Sequence, residues 1–166
     1  VDALWSAGPE RPLPLLEGMA AAAVAYGVPL VGAHTNTRCD REQLAVAILG
    51  RARTLLTSFD ARPGDELLAA IDLRGRYHEP SPYWDAASAA PGERLRGDIE
   101  LLPQIAEAGE SRAAKDISMA GVLGTALMLL ECSGVGATID IDAIPRPPGE
   151  ALPRWLTSFP SYGYLL

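Results

Sequence analysis

A lysine, an aspartate and a serine stand close together ahead of a long apolar segment, and side chains of these types can bind phosphate and a metal ion. Lys115, Asp116 and Ser118 precede Gly121, after which the apolar run Val122–Leu130 begins. The start of a helix presents free backbone N–H groups that attract anions, and a carboxylate beside it can hold a metal ion that carries phosphate. The segment therefore predicts a site for a phosphate-bearing ligand.

The same three side chains also have structural interpretations. Asp116 or Ser118 could cap the following helix by accepting hydrogen bonds from its first N–H groups. Lys115, the only lysine of the chain, could simply reach solvent from the end of a strand. Both interpretations are compatible with the sequence.

Other polar groups make weaker candidates. Asp140 and Asp142 alternate with isoleucines, which is more typical of a half-exposed strand than of paired acid–base carboxylates. His78 and Glu79 have no partner at metal-ligand spacing. The sequence contains no zinc-ligand cluster, P-loop or serine-hydrolase motif. None of these residues therefore identifies a reaction.

Composition narrows the class of protein. The chain has 166 residues and a formal net charge of −7, which argues against a surface for nucleic acid or an anionic membrane. Cys39 and Cys132 lack metal-ligand spacing, and without a secretory signal they are expected to be reduced thiols. The apolar runs are too short to span a bilayer. We expect a soluble cytoplasmic protein. Because the sequence begins with valine, we also expect it to be a fragment or an incomplete sequence.

Strand and helix patterns alternate along the chain, which predicts the α/β or α+β class. The predicted strands are 1–5, 28–31, 44–51, 66–73, 111–117, 137–144 and 162–166, and the predicted helices are 15–26, 93–108, 121–132 and 151–159. Pro103 is expected to kink or divide the second helix. Loops or turns are expected at 6–14, 32–38, 61–65 and 145–149. Segment 74–92 is predicted to be an irregular surface excursion whose aromatic residues cover a substrate or pin the loop to the body.

Several short segments occur in the same order in one superfamily of enzymes. They are Gly27–Thr35, Leu49–Arg51, Pro63–Asp65, Lys115–Gly121 and Gly134–Ile144. Together they resemble the AIR synthase superfamily, which includes aminoimidazole ribonucleotide (AIR) synthetase, thiamine-monophosphate kinase, selenophosphate synthetase and formylglycinamidine ribonucleotide amidotransferase. The sequence of residues 115–121 is similar to the AIR synthase-related branch.

The resemblance implies an α+β fold of the α/β sandwich type. Residues 1–56 would be the end of an N-terminal domain that dimerises, and 57–166 most of a C-terminal domain. Relatives use ATP and magnesium to phosphorylate or activate a small molecule. The resemblance thus implies a homodimer that transfers the γ-phosphoryl group of ATP to an unidentified acceptor. An Asp-x-x-Ala-Met-Gly motif and a glycine-rich segment of the family are absent from these residues.

Site residues follow from the same resemblance. His34, Thr35, Lys115 and Ser118 would bind the nucleotide or its phosphates, and Asp116 would bind magnesium; no catalytic residue is implied. His34 and Thr35 could also belong to an ordinary surface loop, with the histidine hydrogen-bonded. The alternative function is a non-catalytic binding or regulatory module that keeps the fold and dimerises through the strands predicted at 28–31 and 44–51.

Overall fold

The computed structural model describes residues 1–4, 12–36 and 38–166. In chain order its elements are β1 (Asp2–Leu4), α1 (Pro12–Tyr26), β2 (His34–Asn36), β3 (Gln43–Ala45), β4 (Ala69–Ile71), β5 (Arg76–Tyr77), β6 (Tyr83–Asp85), α2 (Gly92–Ala108), β7 (Lys115–Asp116), α3 (Gly121–Ser133), α4 (Leu152–Thr157), β8 (Phe159–Pro160) and β9 (Gly163–Leu165). Small sheets with helices between their strands confirm the predicted α+β class. Trp5, residues 6–11 of the predicted first loop and Thr37 of the predicted second turn lie outside the described residues.

Internal contacts divide the chain into two compact units. The first comprises Val1–Arg51 and Pro91–Gly97, and the second comprises Ala52–Ala90 and Asp98–Leu166. The predicted domain division at 56 and 57 stays a prediction. No helix among the described residues combines the length and the apolar character needed to cross a bilayer.

The sheet of the first unit is built around β1. This strand pairs in parallel with β2 and antiparallel with β3, so that Asp2 lies opposite both His34 and Ala45. The strand predicted at 28–31 is wrong: this segment has no regular structure, and β2 lies in the predicted turn instead. Both sides of β1 are occupied, one by β2 and the other by β3, so residues 28–31 cannot pair with β1. The strand predicted at 44–51 is reduced to β3, which pairs with the three residues of β1.

Helix α1 confirms the helix predicted at 15–26 but begins three residues earlier, at Pro12. Proline fits the first turn of a helix because N–H groups there have no intrahelical acceptor. Gly27, with φ +68°, ends the helix in the left-handed region. The guanidinium of Arg96 donates a hydrogen bond of 2.6 Å to the carbonyl oxygen of Ala25 and so satisfies the last turn.

In the second unit, β9 is the central strand of the sheet β4–β9–β7 and runs antiparallel to both neighbours. Residues from this sheet and from α3 form a shared apolar core, which consists of Ala113, Ile117, Val122, Ala126, Leu129 and Leu165. Full burial of one large aliphatic side chain is worth about 1.5–3 kcal/mol. The helix predicted at 121–132 is confirmed as α3, because its apolar run supplies that core. The strands predicted at 66–73, 111–117 and 162–166 are confirmed in shortened form.

A second sheet, β5–β6–β8, corrects the prediction for residues 74–92. The segment contains an antiparallel pair, β5 and β6, and β8 pairs in parallel with β6. Trp84 on β6 is buried and packs edge-on against Trp155 of α4, at 5.3 Å between ring centroids. An aromatic core therefore takes the place of the predicted irregular excursion. The aromatic residues pin the segment to the body, as the second interpretation expected.

The turn after β6 is organised by the carboxylate of Asp85. Its Oδ1 accepts hydrogen bonds from the N–H groups of Ser88 at 2.9 Å and Ala87 at 3.0 Å. These bonds, Ser88 first, hold the pKa of Asp85 below its usual value, the nearby His78 acts in the same direction, and burial opposes them. An ionised carboxylate thus stabilises this turn.

Two further predictions concern elements outside the sheets. The helix predicted at 93–108 is confirmed as α2, and Pro103 lies inside one uninterrupted helix, so the expected division does not occur. The strand predicted at 137–144 is wrong. There the carboxylate of Asp140 accepts a hydrogen bond of 3.0 Å from the N–H of Asp142, and Ala143 N–H bonds to the Asp140 carbonyl. These local bonds favour a turn over a ladder.

Candidate functional site

Lys115 and Asp116 form β7, an edge strand of the sheet β4–β9–β7. Successive side chains of a strand point to opposite faces, and the buried Ile117 shows which face is the core. Lys115 therefore starts on the core face and Asp116 on the other, opposite Tyr164 of β9. The Lys115 ammonium nevertheless reaches Asp116 Oδ1 around the sheet edge. Since 62% of the Asp116 side chain is exposed, this carboxylate remains open to a ligand.

A tight turn joins β7 to α3. The N–H of Gly121 donates a hydrogen bond of 2.9 Å to the carbonyl oxygen of Ser118. Ala120, between them, has φ 83° and ψ −1°, the geometry of the third residue of a type II turn, which normally favours glycine. Ala120 is also the N-cap of α3, and no side chain caps it. The capping interpretations of Asp116 and Ser118 are therefore wrong.

The start of α3 lies directly against the last turn of α4. A Cβ atom on Gly121 would stand 2.2 Å from the carbonyl oxygen of Leu156 and 2.7 Å from backbone atoms of Thr157. Gly121 also has φ +66°, which L residues with a side chain rarely adopt. Part of the helix start that the sequence suggested for an anion is thus covered by α4. The exposed charges of β7, beside it, remain the better candidate for a ligand.

A buried hydroxyl on α3 is hydrogen-bonded to the turn between β7 and α3. Thr125 has no exposed surface, and its Oγ1 accepts a hydrogen bond of 3.2 Å from the N–H of Ser118. On the sheet side, the N–H of Ile117 donates to the carbonyl oxygen of Gly163 at 2.8 Å. Sequence reasoning missed Thr125. The available signal was a hydroxyl in the middle of an apolar helix, where burial demands a hydrogen-bond partner.

His34 and Thr35 lie on β2 in the first unit. The Nδ1 atom of His34 is 3.2 Å from Asp2 Oδ1 on β1, and both side chains are largely exposed. Asp2, which sequence reasoning missed, can orient the imidazole through Nδ1 and leave Nε2 available to a ligand. Thr35 is exposed beside it, opposite Ala3. This unit therefore offers an imidazole and a hydroxyl on one short strand.

The predicted site residues fall into two groups. Lys115, Asp116 and Ser118 come together in the second unit, whereas His34 and Thr35 belong to the first. Among the described residues, no group of three histidine, cysteine or carboxylate side chains is placed to hold a metal ion. Magnesium usually keeps several waters and takes one or two carboxylates together with substrate phosphates. The single carboxylate of Asp116 therefore fits a magnesium ion carried by a nucleotide and does not fit an all-protein cage.

The remaining candidates have structural partners. Glu79 accepts a hydrogen bond of 2.7 Å from Arg154, whose guanidinium lies 3.5 Å from the centre of the Tyr77 ring. The carboxylate raises the pKa of Arg154 above its usual value, and burial opposes this. The hydroxyl of Tyr77 lies 2.8 Å from the hydroxyl of Ser158. These contacts fasten the β5–β6 segment to α4.

Comparisons with known proteins cover the chain unevenly. Residues 78–158 match a family described as AIR synthase related protein, C-terminal domain. An uncharacterized protein of Synechocystis sp. is 50% identical over 167 residues, a match that covers 100% of this chain and 52% of the relative. An uncharacterized protein of Methanocaldococcus jannaschii is 37% identical over 155 residues, covering 92% of this chain and 48% of the relative. The chain spans about half the length of these relatives.

Solved structures add a likeness of fold. T. maritima PurL complexed with ATP has a TM-score of 0.70 at 18% sequence identity, and the match covers 99% of this chain and 28% of PurL. PurL complexed with AMPPCP has a TM-score of 0.69 at the same identity and coverage. At this level of identity the likeness concerns the fold.

Proposed function

We propose that this chain, whose residues 78–158 match the AIR synthase related C-terminal domain family, takes part in the ATP- and magnesium-dependent transfer of a γ-phosphoryl group to a small-molecule acceptor. The observation that carries the proposal is the exposed carboxylate of Asp116 beside the only lysine of the chain. The shared fold with PurL, solved with ATP, AMPPCP and ADP, supports a nucleotide as the ligand.

Each candidate residue has a role in this proposal. Asp116 would hold the magnesium ion that accompanies the nucleotide, while Lys115 and Ser118 would contact phosphate oxygens. His34 and Thr35 are the other residues proposed to contact phosphate. Phosphoryl transfer asks the protein mainly to position groups and to neutralise charge, which a carboxylate, an ammonium and hydroxyls can do. Domains at 1–56 and 57–166 and a cytoplasmic location belong to the same proposal.

Asp116→Asn tests the metal role directly. It keeps the shape of the side chain and removes its charge, so we expect magnesium-dependent affinity for AMPPCP to fall at least about tenfold, or about 1.4 kcal/mol. Asp142→Asn is the matched control, because Asp142 is also exposed but lies in the turn after Asp140. Isothermal titration with magnesium and with EDTA measures both variants.

The outcomes separate the possibilities. Magnesium-dependent binding that Asp116→Asn weakens and Asp142→Asn does not would support the proposal. Equal losses in both variants would overturn the assignment of Asp116. The full-length relative of Synechocystis sp. is titrated in parallel. Binding by that relative alone would assign the nucleotide site to residues outside this chain, and binding by neither protein would overturn the nucleotide proposal.

A non-catalytic, dimerising module is the second candidate function, and the surface of the first unit favours it. β3 is an edge strand, and the segment that begins there exposes a row of apolar side chains: Leu44, Val46, Ile48 and Leu49. An edge strand with apolar neighbours is a template for pairing with another chain. A second copy of this chain, presenting the same edge, is the proposed partner. The dimerisation of such a module would not change in Asp116→Asn.

A charge on the apolar segment tests the dimer. Ile48 is 77% exposed, and Ile48→Glu places a carboxylate where apolar surface would be buried between copies. We expect the protein to sediment as a dimer and the variant as a monomer. Leu127→Glu, at a similarly exposed position on α3, is the control and should leave the dimer intact. A wild-type protein that sediments as a monomer at all concentrations would contradict the proposal.

A further inference from the structure

We infer that the buried hydroxyl of Thr125 positions the turn between β7 and α3 for phosphate binding. The inference rests on the proposed function, since it assumes that Asp116 and Ser118 face a nucleotide. Thr125 contacts the backbone of Ser118 and would not touch the ligand. It is therefore a positioning residue.

The first step is the burial of this hydroxyl. The side chain of Thr125 is completely buried in the core side of α3, and its Oγ1 receives the N–H of Ser118 at 3.2 Å. A valine has nearly the same shape as threonine but could accept no hydrogen bond. The need for a threonine here thus comes from the turn, since packing alone would be satisfied by valine.

The second step is that the turn is held from several sides. Ile117 is tied to Gly163 by a hydrogen bond of 2.8 Å, and Gly121 closes the turn on the Ser118 carbonyl at 2.9 Å. The bond from Thr125 is the one that ties the Ser118 N–H to α3. It is a second bond between Ser118 and α3, beside the one that Gly121 donates to the Ser118 carbonyl oxygen.

The third step is the conformation that these bonds hold. Ala120 adopts φ 83°, the one positive φ at a residue other than glycine in the part of the chain that the structure describes. The Cβ atom of Ala120 lies next to Gly124, and a Cβ atom added to Gly124 would stand 2.4 Å from it. A backbone in this region persists only where its surroundings over-determine it. Without the Thr125 bond, the turn is expected to relax away from α3.

Relaxation of the turn has a chemical consequence. Asp116 and Ser118 flank the buried Ile117, so the backbone at Ser118 fixes where the two polar side chains point relative to each other. Contacts to phosphate and its metal ion tolerate displacements of only about 0.5 Å. A shift of Ser118 would therefore weaken nucleotide binding even though no ligand-contacting residue has changed.

Three variants test this role. Thr125→Val removes the hydroxyl and keeps the shape, and Thr125→Ser restores the hydroxyl. Ser133→Ala is the control at the opposite end of α3, where the Ser133 hydroxyl accepts a hydrogen bond from the Ala61 N–H at 3.2 Å. Affinity for magnesium–AMPPCP is measured by titration, and amide hydrogen exchange at Ser118 reports the state of the turn. Thermal unfolding reports any general loss of stability.

We expect Thr125→Val to weaken magnesium–AMPPCP binding about tenfold and to speed exchange at Ser118, while Thr125→Ser recovers most of both. Ser133→Ala should leave affinity unchanged even if it lowers the unfolding temperature equally. If Thr125→Val leaves affinity unchanged, or if Ser133→Ala loses as much affinity, the inference about Thr125 is overturned. When Asp116→Asn still weakens binding in the same experiment, the proposed function itself stands. No binding by the wild-type chain would overturn the proposed function and this inference with it.

Discussion

Gly121→Ala is expected to destabilise the protein by about 3 kcal/mol, the sum of two separable costs. The left-handed φ of +66° costs an alanine about 1–2 kcal/mol. The new methyl group would also stand 2.2 Å from the carbonyl oxygen of Leu156, so α4 must move away from α3. Overpacking of this kind adds about 1–3 kcal/mol. Urea unfolding of wild type and variant gives the difference.

Gly134→Ala isolates the first of these costs. Gly134 ends α3 with the same φ of +66°, but no atom lies within 4 Å of its potential Cβ. We expect it to lose only about 1–2 kcal/mol from the strained backbone. Equal losses in the two variants would show that the close contact between α3 and α4 is wrong. A larger loss in Gly121→Ala would confirm that α4 seats on the first residue of α3.

Trp155→Ala should have an effect at least as large, about 3–5 kcal/mol, because it removes a fully buried aromatic side chain. Trp155 is 1% exposed and joins α4 to the aromatic core through its edge-on contact with Trp84. Its indole N–H also donates a hydrogen bond of 2.8 Å to the carbonyl oxygen of Pro145. The variant would leave a cavity and a carbonyl without this donor.

Two companion variants divide that loss. Trp155→Phe keeps an aromatic ring and removes the indole N–H, so we expect an intermediate loss of about 1–3 kcal/mol. Leu127→Ala, on the exposed face of α3, should change stability by no more than about 0.5 kcal/mol. Urea unfolding followed by near-ultraviolet circular dichroism measures all three. If Trp155→Ala lost less stability than Trp155→Phe, the result would contradict the described packing.

The helices could be predicted from the sequence because their signals are local. α3 begins at Gly121, carries a mainly apolar run and is followed by Gly134, and α1 is followed by Gly27. In both cases the residues that determine the element are its own members or its neighbours. The left-handed cap at Gly134, for example, depends on backbone bonds to Glu131 and Leu130 alone.

The strands could be predicted only in part because a strand exists through its partner. Residues 28–31 and 137–144 have the composition of strands, yet no regular structure forms there. β5 and β6 were missed because each is only two or three residues long. They pair with each other, and β6 also pairs with β8 and packs against α4. The residue types of β5 and β6 do not predict these pairing partners.

The candidate site divides in the same way. Lys115, Asp116 and Ser118 could be proposed as ligands from the sequence because they lie within four positions of each other. Thr125 and Asp2 act on them, or on His34, from elements that only the fold brings near. Candidate ligand contacts can be proposed from a local motif, whereas the residues that hold the motif in place depend on tertiary structure.

The central place of β9 in its sheet has a consequence for biosynthesis. The pairs Ala69–Leu165 and Asp116–Tyr164 join strands that emerge from the ribosome at very different times. β4 and β7 must wait as unpaired edges until β9 has been synthesised, because neither pairs with the other. Such long-range pairing slows folding and exposes apolar surface to aggregation in the interval. Nascent chains that stop before residue 163 are therefore expected to be clients of chaperones.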